Sequence, residues 1–342
     1  MQPTVRLARA ASPQANPAPP DWTGGADVPA EVQQGVDRWL EDLRNAPREP
    51  GELMGVVYEQ YADGSTRVLA APGTTTPDLP PDGPNIPNDA VVNNRVVIYA
   101  DGIHQRISTQ QDQIHRLLQA DPHDPKDGVN VGQPVIGVHE AVGKSALDDG
   151  TRIAADLAYT KAVQGRYMPL AWVRKAAYRA DPTVKSVHDE IRQSLEAGRD
   201  VLLCMHSGGG AISALALNLL AHENHGKWKN AIRDHVRVLA LSTAAAARDF
   251  ELAGVKPENL YYTGSRQDPV HNIMHHFIHP YNFLGNFPFI GTAIADGLKA
   301  AMDPKFGPYH SPDYILWANA RGGHSRIQDF IDGAPGGNYV LP

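Results

Sequence analysis

The spacing of short apolar runs between residues 95 and 262 constrains this chain more than any other feature. Val96-Val-Ile-Tyr-Ala100, Pro134-Val-Ile-Gly-Val138, Asp200-Val-Leu-Leu-Cys-Met205, Val236-Arg-Val-Leu-Ala-Leu241 and Asn259-Leu-Tyr-Tyr262 are short and nearly continuous. A strand that is apolar at successive positions is buried on both faces, the situation of a parallel sheet covered by helices. Stretches of helical character lie between the runs: 107–120, with Ile114, Leu117 and Leu118 on one side, then 147–162, 182–197 and the apolar 208–222. Gly198 ends the third of these as a glycine just past a helix does. Strand alternating with helix over some 170 residues predicts an α/β fold with a doubly wound, mostly parallel sheet.

The N-terminal part reads differently. Residues 1–28 are rich in Ala and Pro and are expected to be a disordered tail. Residues 29–71 are expected to form a small segment of their own. A helix over 28–45 would carry Val32, Val36, Trp39, Leu40 and Leu43 on one face, followed by a β-hairpin turning at Asp63-Gly64. Residues 72–94, with six prolines by residue 89, read as a stiff linker. The main α/β domain is then expected over residues 95–335.

Composition supplies exclusions. With 42% apolar residues in 342, the chain can bury a substantial core. A net charge of −7 argues against a nucleic-acid partner, which needs a clustered positive field. Cys204 is the single cysteine, so no disulfide can form within the chain; inside an apolar run it reads as a buried strand residue. The first residues lack the apolar core of a Sec signal peptide, and no run approaches the roughly 20 apolar residues of a membrane-spanning helix. The expectation is a soluble protein, cytoplasmic or exported without a Sec signal.

The chemistry concentrates at the end of the third run, in Val-Leu-Leu-Cys-Met-His-Ser-Gly-Gly-Gly, residues 201–210. A serine hydroxyl becomes a nucleophile when a base takes its proton and donors stabilise the oxyanion. A sharp turn between strand and helix exposes Ser207 and aims the free N–H groups of the helix start at that charge. Gly208, Gly209 and Gly210 give the turn the small neighbours it needs. Set against G-x-S-x-G, Met205 stands where the first glycine belongs. The other readings are a purely structural turn, or a phosphate-binding turn without the spaced G-x-G-x-x-G or a P-loop lysine.

Three pieces of sequence together resemble the α/β-hydrolase superfamily, in particular its lipase- and esterase-like bacterial branch. They are Tyr99-Ala-Asp-Gly-Ile103 after the first run, His206-Ser-Gly-Gly209, and the late Gly322-Gly-His-Ser325. The resemblance covers residues 95–331. It implies an α/β-hydrolase-like fold, and a triad in the order serine, acid, histidine. The acid is expected at Asp268, after the fifth run and held by Pro269; capping of a following helix is its other reading. Asp249 is a weaker choice. The base is expected at His324, in a glycine-flanked loop before a short terminal helix, with His310 in Pro308-Tyr-His-Ser-Pro312 as the alternative. The oxyanion hole is expected to pair the N–H groups of Gly208 and Ile103. Asp101 beside it is unusual near a site for negative charge.

Two other constellations matter. His271, His275 and His279 share one face if helical, but lack the glutamate of H-E-x-x-H and any cysteine partner. The apolar segment 277–298 is expected as a lid, and residues 159–178, with Tyr167, Met168, Leu170 and Trp172, as a further wall of the pocket. The leading expectation is a serine hydrolase acting on carboxylic esters, lipid-like ones in particular. It needs no cofactor or metal, touches a membrane surface at most transiently, and leaves its oligomeric state open. The alternatives are a catalytically silent binding or scaffold protein of the same fold and, third, a metal-dependent hydrolase built on the histidine cluster.

Overall fold

The five apolar runs are strands of one sheet. In a computed structural model, the residues described are 28–49, 53–70, 90–100, 102, 105–119, 129–143, 145–265, 267–270, 296, 299–300, 307–320 and 325–341. The strands are β1 (Val57–Gln60), β2 (Thr66–Ala70), β3 (Arg95–Ala100), β4 (Val135–Val138), β5 (Asp200–His206), β6 (Val236–Leu241), β7 (Leu260–Ser265) and β8 (Gly337–Leu341). They form an eight-stranded sheet in the order β2-β1-β4-β3-β5-β6-β7-β8. Neighbours from β4 to β8 are parallel, and β1 is antiparallel to both β2 and β4.

Among the described residues ten α-helices connect or flank these strands: α1 (Ala30–Asn45), α2 (Ile107–Leu118), α3 (Ala146–Gly165), α4 (Leu170–Ala180), α5 (Pro182–Glu196), α6 (Gly209–His222), α7 (Lys227–His235), α8 (Ala247–Ala253), α9 (Pro312–Ala320) and α10 (Arg326–Ile331). The alternation within each strand decides which helices it meets. Ile98, Ala100, Leu203, Met205, Val238 and Ala240 face one side, in a core that also contains Val163, Val173, Val187, Ile191, Ile212, Leu215 and Phe250 from α3 to α6 and α8. Val97, Tyr99, Leu202, Cys204, Leu239 and Leu241 face the other, against Ile114 and Leu117 of α2, Ile315 of α9, and Ile327 and Phe330 of α10. Both faces are covered, which is why the strands read as unbroken apolar runs.

Two boundaries differ from expectation. The hairpin is part of the main sheet: Val57 pairs with Val138 and Gln60 with Val135. All four residues of β1 are buried, Val57 in the core on one side of the sheet and Tyr58 in the core on the other. The sheet also gains β8 beyond residue 335, where Gly337 pairs with Tyr261 and Leu341 with Ser265. A five-residue strand beginning Gly-Asn carries little apolar pattern, and its neighbour β7 supplies the pairing.

The helix α1 is likewise no satellite. Its stripe of Val32, Val36, Trp39, Leu40 and Leu43 packs on Tyr309 and Tyr314, at the start of α9. That contact lays the N-terminal helix over the C-terminal ends of the sheet's elements, where the candidate site is found.

Candidate active site

The chain runs from β3 to β4 on one side and returns to β5 on the other, so β3 and β5 are neighbours between which the connection changes direction. In open α/β sheets ligands bind outside the carboxyl ends of strands at such a point. Ser207 follows β5 there, and Gly102 lies two residues past β3.

Ser207 has φ +53°, in the left-handed region that non-glycine residues rarely occupy. Such a conformation costs on the order of 1–3 kcal/mol and persists only where neighbours fix it. They do: Ser207 N–H donates to the Leu241 carbonyl (3.3 Å), and its own carbonyl accepts from Ala244 N (2.8 Å) and Gly210 N (3.2 Å). Two glycines make the turn sterically feasible. A Cβ on Gly102 would sit 2.6 Å from Ser207 Cβ, and one on Gly210 would sit 2.4 Å from Thr243 Cβ. Met205 is accommodated because its partners on the adjacent strands are alanines, Ala100 and Ala240. The larger side chain fills the space beside them in the core.

The hydroxyl of Ser207 meets a histidine, and that histidine is His310. Ser207 Oγ lies 2.9 Å from His310 Nε2, and His310 Nδ1 lies 2.8 Å from Asp268 Oδ2. A carboxylate only accepts, so Nδ1 carries the proton and Nε2 presents its lone pair to the serine hydroxyl. Ser207, His310 and Asp268 are all buried. Asp268 serves two purposes with its two oxygens: Oδ2 holds His310, while Oδ1 accepts from Val270 N (2.8 Å) and closes the turn at Pro269. The capping reading and the triad reading of this residue are therefore both present in the geometry.

The structure brings the alternative base, His310, to Ser207. His324 lies outside the described residues, and both ring nitrogens of His310 are already engaged by the serine and the carboxylate. Either histidine satisfies the chain order serine, acid, histidine, so order alone did not separate them. His310 wins its place through the tight turn Gly307–His310, which leads directly into α9. Asp249, the weaker acid, is engaged elsewhere: it accepts from Lys161 Nζ and Gln164 Nε2 (3.0 Å) and closes the start of α8 at Ala246 N (3.3 Å).

Gly208 N–H, one expected oxyanion donor, makes no hydrogen bond to a described residue and stands at the entry to α6. Ile103, the other, lies outside the described residues, as does Asp101. Their neighbour Gly102 is in place against Ser207, where an added Cβ would also lie 3.5 Å from Gly208 N.

Two residues with no role assigned from sequence complete the surroundings. His206 donates from Nε2 to the main-chain carbonyl of His310 (2.9 Å), and its ring centroid lies 4.8 Å from that of His310. Complete burial, reinforced by the adjacent His310, lowers its pKa to about 3, so it stays neutral. Trp39 of α1 lies 5.8 Å from the His310 ring and 6.2 Å from that of His206. The indole thus packs against both imidazole rings. The amphipathic stripe of α1 signalled that Trp39 is buried; which surface it covers depends on long-range packing.

The histidines His271, His275 and His279 lie outside the described residues, and so does the segment 277–298 apart from Asp296. Among the described residues no cluster of His, Cys, Asp or Glu is arranged to hold a metal ion. Residues 159–178 do not wall this site: Met168 and Leu170 lie against Ala221 and His222, at the opposite end of α6 from Ser207. Comparison of the chain with family models, with curated proteins and with solved structures finds no match.

Proposed function

We propose that this chain is a serine hydrolase of the α/β-hydrolase type, acting on carboxylic esters through Ser207, His310 and Asp268. The observation that carries the reading is the unbroken line of hydrogen bonds from Ser207 Oγ through both nitrogens of His310 to Asp268 Oδ2. The positive φ of Ser207 adds to it, because a strained serine between strand and helix is what a nucleophile on such a turn requires.

In this reading Ser207 Oγ attacks the ester carbonyl carbon as His310 Nε2 takes the hydroxyl proton. The carbonyl π electrons move to oxygen, and the oxyanion faces Gly208 N–H with a second donor from the turn after β3, Ile103 N–H being the proposed one. Collapse of the tetrahedral intermediate breaks the bond to the alkoxy group, which leaves as an alcohol with the proton from His310. Water then repeats the cycle on the acyl-serine, again through His310, and releases the acid. Asp268 keeps the imidazole in the tautomer with Nδ1–H and stabilises the imidazolium. Each proton returns to its starting place, so the reaction needs water alone.

Lipid-like esters are the proposed substrates, supported by the Phe-, Ile- and Leu-rich sequence of residues 277–298 between acid and base. The test is hydrolysis of p-nitrophenyl esters of increasing acyl length by the wild type and by Ser207→Ala and His310→Ala. The reading expects turnover by the wild type that both variants reduce about 1000-fold or more, as loss of a triad member does. No turnover of any ester by the folded wild type would instead leave a binding protein of this fold.

A further inference from the structure

Four large apolar side chains are markedly exposed among the described residues, and three of them lie within six positions: Tyr167 (70%), Met168 (47%) and Trp172 (70%). They sit where α3 ends and α4 begins. Arg166 turns the chain there with φ +54° and so lifts Tyr167 and Met168 out of the helix.

The first turns of α4 extend the feature. Val173 and Ala177 point into the core, which sends Trp172, Lys175 and Arg179 outward, at positions i, i+3 and i+7 of one face. Tyr159 of α3 joins Trp172, Lys175 and Arg179 around a shallow depression of 780 Å³. A long aromatic body flanked by cations, with no core of its own to cover, is an exposed patch that calls for a partner.

Charge identifies that partner. The chain as a whole is −7, yet residues 157–180 contain five Lys and Arg and no Asp or Glu. Lys161 and Arg174 are paired with Asp249 and Glu223. Arg166, Lys175 and Arg179 have no ion-pair partner among the described residues, and all three are exposed. Together with the Trp172 N–H and the Tyr167 hydroxyl, the patch offers its surroundings charged donors without an anionic acceptor. A protein surface presents donors and acceptors mixed, whereas the headgroup layer of an anionic bilayer presents phosphate acceptors over an apolar interior.

We propose that the α3–α4 corner docks on anionic lipid bilayers, with Trp172, Tyr167 and Met168 entering the interface and Arg166, Lys175 and Arg179 meeting lipid phosphates. Aromatic rings favour that depth, and each cation near such a surface adds attraction that salt screens. Arg166 and Met168 lie beside His222, at the opposite end of the 14-residue α6 from Ser207, about 20 Å along the helix axis. Docking rests on the exposed side chains of α3 and α4 and stands independently of the catalytic reading.

The test is co-sedimentation of the full chain with vesicles of phosphatidylcholine alone and of phosphatidylcholine mixed with phosphatidylglycerol. Binding is expected to the mixed vesicles only, to weaken with added salt, and to fall about tenfold or more in K175E/R179E. Trp172→Ala is expected to lose affinity and the blue shift of tryptophan emission that accompanies binding. The substituted side chains are exposed, so circular dichroism should be unchanged. The proposal is overturned if the wild type ignores mixed vesicles, if it binds both kinds equally, or if the variants bind as the wild type does. It is also overturned if Trp172→Ala abolishes self-association in sedimentation velocity while vesicle binding stays absent.

Discussion

The centre depends on a few contacts with little tolerance. Gly102 faces Ser207 with room for a hydrogen only, so Gly102→Ala should displace the hydroxyl and lower kcat about tenfold or more, measured on a soluble ester. His206 acts through His310: it holds the main-chain carbonyl from which that ring is suspended. His206→Phe keeps an aromatic ring but removes the donor, leaving a buried carbonyl unsatisfied. A fall in kcat of about tenfold with KM unchanged is the expected result, and an equal fall in thermal stability with full kcat would make its role structural. Of the three residues that the structure brings together, Ser207 and Asp268 were legible in the sequence because each follows a recognisable strand. His310 was legible only as an alternative. Choosing it over His324 required knowing which loop packs beside β7, and that depends on α1 and α9, far apart in sequence.

At the scale of elements, α1 joins the fold to the site. Its stripe closes over Tyr309 and Tyr314 and brings Trp39 to the His310 ring. Trp39→Ala should cost about 3–5 kcal/mol, read from the shift in a urea unfolding midpoint, because it leaves a large cavity at a fully buried position. Activity under native conditions should fall as well, since the indole no longer braces the imidazole. The helical period of α1 was plain in the sequence. Its destination was hidden by residues 72–94, whose prolines suggested a separate unit, although β1 between them joins β4 by main-chain pairing that leaves little trace in side-chain pattern. The central strands were the most readable elements, because burial on both faces leaves each as a continuous apolar run.

Across the whole molecule, stability should depend on pH through the buried carboxyl groups of Glu140, Asp156 and Glu190. Burial raises Glu190 to about 8, the charge of Asp189 adding to the effect. Glu140 and Asp156 are also held well above their ordinary values, by burial first and then by neighbouring carboxylates, Asp181 among them. Above about 4.5 the unfolded chain releases the Glu190 proton while the folded chain keeps it, so this group makes stability fall as pH rises from about 4.5 to about 8. The slope is about 1.4 kcal/mol per pH unit for each such group. Denaturant unfolding at pH 5 and pH 8 should show the loss, and Glu190→Gln should reduce its slope; an unchanged slope would contradict the assignment. No single run of sequence encodes the grouping of Glu140 and Asp156 with Asp181, which meet only in the folded chain.

The most direct measurement of the central claim is covalent labelling with a fluorophosphonate, which reacts only with a serine whose neighbours have activated it. Folded wild type and His324→Ala are expected to be labelled at Ser207, while Ser207→Ala and His310→Ala are not. Labelling that survives Ser207→Ala, or that is lost in His324→Ala and retained in His310→Ala, would contradict the assignment of Ser207, His310 and Asp268.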